Sequence, residues 1–165
     1  MKPVRLFLWM LPAIGLCACL EQENFPDEPV LEFSQFITSG DDSARMVINF
    51  TDGDGNFGLN PSDTTGEFCI DGCIRYWNLY LEYYELQNGT WTHIPLDPWN
   101  QIPFYYRVPF IAPTGQNKSQ EGTMSIAMPF YYLLSEFDTA RFQISAVDRD
   151  FNESNVVVSS TFVKP

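Results

Sequence analysis

Three polar residues, Asp52, Asp54 and Asn56, stand at alternate positions in the stretch NFTDGDGNFGLNPSD, separated by glycines and preceded by a short apolar run. Calcium takes roughly six to eight oxygen ligands, and alternate Asp and Asn residues on a glycine-bent backbone can direct several oxygens at one point. The spacing matches the first three ligand positions of an EF-hand loop. The sixth position, however, is Phe57 instead of Gly, and the twelfth is Asp63 instead of Glu. The stretch is therefore not an EF-hand, and it predicts either another kind of calcium site or a tight turn.

A second acidic segment, VDRDFNESN, repeats this spacing after another strand-like run and contains Asp148, Asp150 and Asn152. If Arg45–Phe50 and Ala140–Val147 are the second and sixth strands of an immunoglobulin-type sandwich, the loops that follow them lie at the same end of the domain. The sequence therefore predicts that the polar residues of both segments meet there.

Two interpretations of this acidic end stay open. Four carboxylates in one place repel one another unless a cation or arginines lie among them. Calcium would satisfy them as a structural ion. Alternatively, Asp, Asn and Gly serve as turn residues, with Arg149 and Arg75 as the counter-charges.

The rest of the chain is dominated by alternating apolar and polar residues, which predict strands. Asn88-Gly89 between two aromatic runs predicts a tight hairpin, and only FYYLLSEF (residues 130–137) suggests a helical turn. The expected fold is all-β: a single antiparallel Greek-key β-sandwich, immunoglobulin- or fibronectin-III-like, with seven to eight strands. The predicted strands are Val30–Ile37, Arg45–Phe50, Asn78–Leu86, Thr90–Leu96, Phe104–Ile111, Gly122–Phe130, Ala140–Val147 and Asn155–Val163.

The N-terminus has the pattern of an export signal, with a basic start and an apolar core shorter than the roughly 20 residues of a spanning helix. Its end, Leu16-Cys17-Ala18-Cys19, resembles the lipobox of bacterial lipoproteins, which implies lipidation of Cys19 and attachment without a membrane span. An ordinary secretory signal is the alternative. We therefore expect a signal peptide over residues 1–18, an acidic flexible tether over 19–29 and the β-sandwich over 30–165.

The predicted mature chain is strongly acidic. Residues 1–18 hold two basic and no acidic residues, so their removal changes the formal net charge from −12 to −14. Such a charge cannot neutralise phosphates, which argues against a nucleic-acid binder. Because an exported protein meets oxidising conditions, Cys69 and Cys73 are predicted to form a disulfide.

The sequence contains none of the common catalytic motifs, and we expect no enzyme. The favoured interpretation is a non-catalytic, lipid-anchored envelope module, with an interaction or structural role and an unidentified envelope protein as partner. The alternative is a module that binds glycans or small ligands through exposed aromatic residues. The candidates for that role are Trp77, Trp91 and Trp99.

FTDGDGNFGL and VDRDFNESN together resemble a group of short immunoglobulin-like lipoproteins of the Bacteroidota, which carry F-x-D-G-D-G-[DN]-x-G-L after the second strand. The resemblance covers nearly the whole mature chain, although the Cys69–Cys73 segment is not part of the pattern. It implies the sandwich fold and an outer-membrane, lipid-anchored, surface-exposed location, and it implies almost nothing about activity.

Overall fold

The computed structural model describes residues 24–40, 42–70, 72–96, 104–114 and 117–165. Cys19, Trp99 and the predicted signal peptide lie outside these residues. No helix in the described ranges is long and apolar enough to cross a membrane. The strands are β1 (Val30–Ser39), β2 (Ser43–Asp52), β3 (Leu79–Gln87), β4 (Thr90–His93), β5 (Tyr105–Tyr106), β6 (Gln120–Met128), β7 (Thr139–Ala146), β8 (Val157–Val158) and β9 (Phe162–Val163).

Two antiparallel sheets form a sandwich, which confirms the predicted fold class. One sheet has the order β1-β2-β6, and the other has the order β4-β3-β7-β8, with β5 paired to β3 and β9 paired to β7. The chain changes sheet after β2, after β5 and after β6. Because β8 and β9 both pair with β7 as halves of one interrupted strand, the described residues form eight strands of the sandwich.

Alternation along the strands produces the core. In β3 and β7 every second side chain is buried, as expected for a sheet with one face on the core and the other toward solvent. Phe142 of β7 lies at the centre, with the Phe104 ring centroid 5.0 Å away and the Tyr83 ring 5.5 Å away. The predicted hairpin joins β3 to β4, and Asn88 and Gly89 both have positive φ, as a type I′ turn requires.

Three predicted strands are shorter than expected. The strand predicted over Thr90–Leu96 ends at His93, and the other two are interrupted by polar side chains. In the segment 104–111 only Tyr105–Tyr106 pairs as a strand. At Val108 the buried Asn78 side chain takes the place of a strand partner, because it accepts the backbone N–H and donates to the backbone carbonyl. The last strand breaks at Ser159, whose hydroxyl accepts the Phe142 N–H in place of a backbone carbonyl. In both places a polar side chain replaces ladder hydrogen bonds.

The helical turn predicted over residues 130–137 is wrong. That segment is irregular, and Tyr131 is buried with its ring against Phe36 and Phe162. Packing of this aromatic side chain across the sandwich outweighs the local helical tendency. Short 3-10 helices occur instead at Gly66–Phe68 and Ile74–Tyr76. They flank Cys69 and Cys73, which lie at disulfide distance with 5.3 Å between their Cα atoms.

A buried ion pair attaches the C-terminal residues to the sandwich. Lys164 Nζ lies 2.6 Å from Glu85 Oε1, and it also donates to the Leu133 carbonyl and to the Ser135 hydroxyl. Burial by itself would raise the pKa of Glu85, but hydrogen bonds from Lys164, Ser135 and Gln87 outweigh it and lower the pKa below its ordinary value of 4.5. The ionised carboxylate is thus favoured by folding.

This lowered pKa predicts a loss of stability in acid. A carboxyl group whose pKa is lower in the folded chain stabilises it above the unfolded value of 4.5, and the contribution disappears as the pH falls through the folded value. Denaturant unfolding should therefore show a larger cost of Glu85→Gln at pH 7 than at pH 3.5. The exposed Glu136→Gln is the control and should cost the same at both pH values. An equal cost of Glu85→Gln at both would contradict the argument.

Candidate functional site

The loop after β2 is folded around Asp52. This side chain is fully buried, and its Oδ2 accepts the N–H groups of Asn56 at 2.8 Å and Phe57 at 3.0 Å. Phe57 then enters the core, where its ring lies 5.1 Å from that of Phe50. The aspartate at the end of the strand therefore sets the path of the glycine-containing loop.

The loop after β7 is folded around Asp148 in the same manner. Asp148 is 1% exposed, and its Oδ1 accepts the N–H groups of Asp150 at 2.9 Å and Asn152 at 2.8 Å. Its Oδ2 accepts the Asn152 side-chain amide at 2.8 Å. Asn152 thus holds Asp148 in position.

The two loops meet at one end of the sandwich, as the topological argument predicts. One carboxylate oxygen each from Asp52, Asp54 and Asp148 lie within 4.8 Å of one another. The Asn56 side-chain amide bridges the loops, since it donates to Asp54 Oδ2 at 2.8 Å and to Asp150 Oδ2 at 3.0 Å. We call the three clustered aspartates the carboxylate triad.

The electrostatics of the triad favour a positive partner. Burial raises the pKa of Asp52 to about 6; the N–H groups of Phe57 and Asn56 oppose the rise, and the charges of Asp54 and Asp148 add to it. Burial also raises the pKa of Asp54. Since the charged forms of Asp52 and Asp54 are disfavoured, a cation beside these two carboxylates would relieve both desolvation and repulsion.

Two buried oxygens within this arrangement have no hydrogen-bond donor among the described residues. They are Asp52 Oδ1 and Asn56 Oδ1. A buried, unsatisfied polar atom costs about 1–3 kcal/mol, more if charged, so each such atom requires an explanation. Because Oδ2 of Asp52 is occupied by two N–H groups, its Oδ1 remains free to bind an ion.

The arginines proposed as counter-charges pair elsewhere. Arg149 bonds Asp63 at 3.2 Å and Arg75 bonds Glu153 at 3.5 Å, and within the described ranges neither forms an ion pair with the triad. The interpretation of the acidic end as turns neutralised by these two arginines therefore lacks the ion pairs that it requires. Asp63, the twelfth residue of the EF-hand comparison, accepts the Asn60 N–H and stays outside the triad.

The donor set suits calcium. Carboxylate and amide oxygens are the ligands that hard cations prefer, and calcium binds them at about 2.3–2.6 Å in a flexible geometry. Two oxygens on opposite sides of calcium are thus about 4.6–5.2 Å apart, against about 4.2 Å for magnesium. The three triad oxygens lie within 4.8 Å of one another, so they are close enough together to contact a single calcium ion.

The segment that contains Cys69 and Cys73 packs beside the loop after β7, which we call the second acidic loop. The Phe68 ring stacks on Phe151 with centroids 5.6 Å apart, and the Arg75 guanidinium lies 5.5 Å from the Phe151 centroid. Phe151 has φ of 69°, so the loop carries a left-handed residue that this stacking holds in place. The sequence contained no signal for this contact.

Of the tryptophans proposed for ligand binding, the two that the structure describes do not share one surface, and Trp99 lies outside the described residues. Trp77 precedes β3, whereas Trp91 pairs with Leu86 near the other end of β3, and both are half-buried. The Arg141 guanidinium covers Trp91 at 4.2 Å from its ring centroid. Nearby tyrosines 80 and 105 meet edge to face at 81°, so they offer no flat platform for a sugar ring.

Comparison with known proteins finds no matching family model, no significantly similar curated protein and no significantly similar solved structure.

Proposed function

We propose that this protein is a non-catalytic, lipid-anchored module of the cell envelope whose sandwich is stabilised by calcium at the acidic end. The observation that carries the calcium part is the carboxylate triad with its buried, unsatisfied Asp52 Oδ1. Calcium bound there would join the loop after β2 to the loop after β7, and therefore one sheet to the other. Its role is structural, because both loops are already shaped by hydrogen bonds to Asp52 and Asp148.

An interaction role is supported by the open edge of the three-stranded sheet. Among the described residues β6 pairs with β2 alone, and a strand edge without a partner is available to another chain. Beside this edge a cleft of about 760 Å³ is lined by both apolar and polar side chains, with Phe50, Tyr106 and Val108 among the apolar ones. Glycan binding has less support, because the half-buried Trp77 and Trp91 lie far apart.

Thermal unfolding of the full-length protein in mild detergent tests the calcium site. At a free calcium concentration 100 times the Kd, binding stabilises the folded state by about 2.7 kcal/mol. For a chain of this size the melting temperature should then rise by roughly 5–10 °C relative to EDTA.

The variants of this test use a matched pair of aspartates. Asp54→Asn removes a triad carboxylate and should abolish most of the rise. Asp42→Asn makes the same change at the exposed turn at the opposite end of β2 and should leave the rise intact. An unchanged melting temperature in calcium would refute the metal site.

A further inference from the structure

The residues just before β1 run across the loop after β2, which we call the acidic loop. The Gly53 N–H donates to the Pro26 carbonyl at 2.8 Å, and Pro29 is buried. A Cβ at position 53 would lie 2.3 Å from the Phe25 carbonyl oxygen and 2.6 Å from that of Pro26. Only glycine permits this approach. Residues 24–29, which we call the N-terminal segment, are therefore in direct backbone contact with the loop that carries Asp52 and Asp54.

The N-terminal segment also brings another carboxylate to the acidic end. Asp27 directly follows Pro26, whose carbonyl accepts the N–H of Gly53 at 2.8 Å, and Gly53 stands between Asp52 and Asp54. The charge of Asp27 therefore lies near Asp54: burial raises the pKa of Asp54, and the charges of Asp148, Asp27 and Asp150 add to the rise. Docking of the N-terminal segment thus brings the negative charge of Asp27 to the end of the sandwich where the carboxylate triad lies. Repulsion opposes this docking unless a cation is present.

The segment after β7 contacts the start of β1, directly after the N-terminal segment. The Asn155 side chain accepts the Leu31 N–H at 2.7 Å and donates to the Leu31 carbonyl at 2.9 Å. The start of β1 is therefore held by the segment after β7. The N-terminal segment, which precedes β1, lies against the loop that carries Asp52 and Asp54. The sequence predicts a flexible tether over residues 19–29; in its described part, the Pro26 carbonyl bonds the sandwich, Pro29 is buried, and Asp27 and Glu28 are exposed.

We propose that calcium at the carboxylate triad fastens the N-terminal segment to the sandwich, with Asp27 contributing charge to the bound ion from outside the triad. This inference rests on the proposed calcium site and assigns it a further effect, which is to keep the N-terminal segment docked on the sandwich. With calcium, Asp27 is attracted and the Gly53–Pro26 hydrogen bond is kept. Without it, Asp27 is repelled and the segment separates. If Cys19 is lipidated, calcium would set how rigidly the sandwich is attached to the membrane.

The hydrogen exchange of the Gly53 amide measures this docking directly, because its acceptor is the Pro26 carbonyl. NMR of the full-length, ¹⁵N-labelled protein in detergent, with calcium and with EDTA, gives the exchange rate. We expect exchange to slow at least about tenfold with calcium, which corresponds to a tenfold change in the opening equilibrium. Unchanged exchange of this amide, in a protein whose melting temperature calcium does raise, would overturn the fastening and leave the calcium site intact.

A matched pair of neutralising variants tests the role of Asp27. Asp27→Asn should weaken calcium binding, measured by titration calorimetry, by roughly 3–5-fold, as expected for one nearby exposed charge. Glu28→Gln removes the same charge from the adjacent exposed residue and should change the affinity less than about twofold. Equal effects of the two variants would overturn the role of Asp27. Absence of any calcium binding by the unaltered protein would refute the proposed site itself.

Discussion

Replacing Lys164 by methionine should lower the free energy of unfolding by about 3–5 kcal/mol, because the change leaves Glu85 buried and without its positive partner. The two side chains are 7% and 3% exposed, so water cannot compensate the carboxylate that remains. Methionine keeps much of the aliphatic length of lysine, which limits the packing loss. Urea unfolding followed by circular dichroism measures the effect.

Two further variants separate the ion pair from general charge effects. Lys118→Met alters an exposed lysine and should cost less than about 0.5 kcal/mol. The double variant Glu85→Leu with Lys164→Met removes both charges and should recover much of the lost stability, since an apolar pair can replace a buried ion pair at little cost. A cost of Lys164→Met as small as that of Lys118→Met would show that the pair is not important for stability.

Replacing Gly55 by alanine should destabilise the protein by more than about 3 kcal/mol, the sum of a conformational cost and a steric one. Its φ of 72° alone costs roughly 1–2 kcal/mol for a residue with a Cβ. In addition, the new Cβ would lie 1.8 Å from the Lys118 carbonyl oxygen and 2.7 Å from the Pro113 side chain. Backbone cannot move aside as a flexible side chain can, so the acidic loop must separate from Pro113 and Lys118.

Gly66 provides the control for this variant. Its φ is 63°, close to that of Gly55, but a Cβ at that position would have no atom of the described residues within 4 Å. Gly66→Ala should therefore cost only the conformational part, about 1–2 kcal/mol. Thermal or urea unfolding of both variants gives the comparison. Equal losses would mean that the close backbone approach at Gly55 contributes nothing.

The glycines of the acidic loop show why the local pattern had two interpretations. Asp-Gly-Asp-Gly is typical of turns because Gly permits left-handed backbone. Gly55 follows that expectation with a positive φ and also lies close to the backbone of Lys118, whereas Gly53 is required only for the approach of the Phe25 and Pro26 carbonyls. Glycines with different roles are thus identical in sequence, and only the contacts made in the folded chain distinguish them.

Features that depend on near neighbours in the chain could be predicted from the residues alone. Alternation predicted the strands because each strand has one buried face, Asn88-Gly89 predicted the hairpin because the turn needs positive φ, and Cys69 and Cys73 are close enough in the chain to meet at disulfide distance. The convergence of the acidic loops also followed, since it depends only on strand order.

Features that depend on residues distant in the chain emerge only when the sandwich is assembled. Arg149 forms an ion pair with Asp63 instead of with a triad aspartate. Lys164 and Glu85 form an ion pair although they are distant in the chain, and Asp27 lies near Asp54 because Pro26 bonds Gly53. Charge pairing acts through space and leaves no periodic trace in the sequence. For the same physical reason, the unsatisfied oxygen of Asp52 becomes visible only when the chain around it is packed and water is excluded.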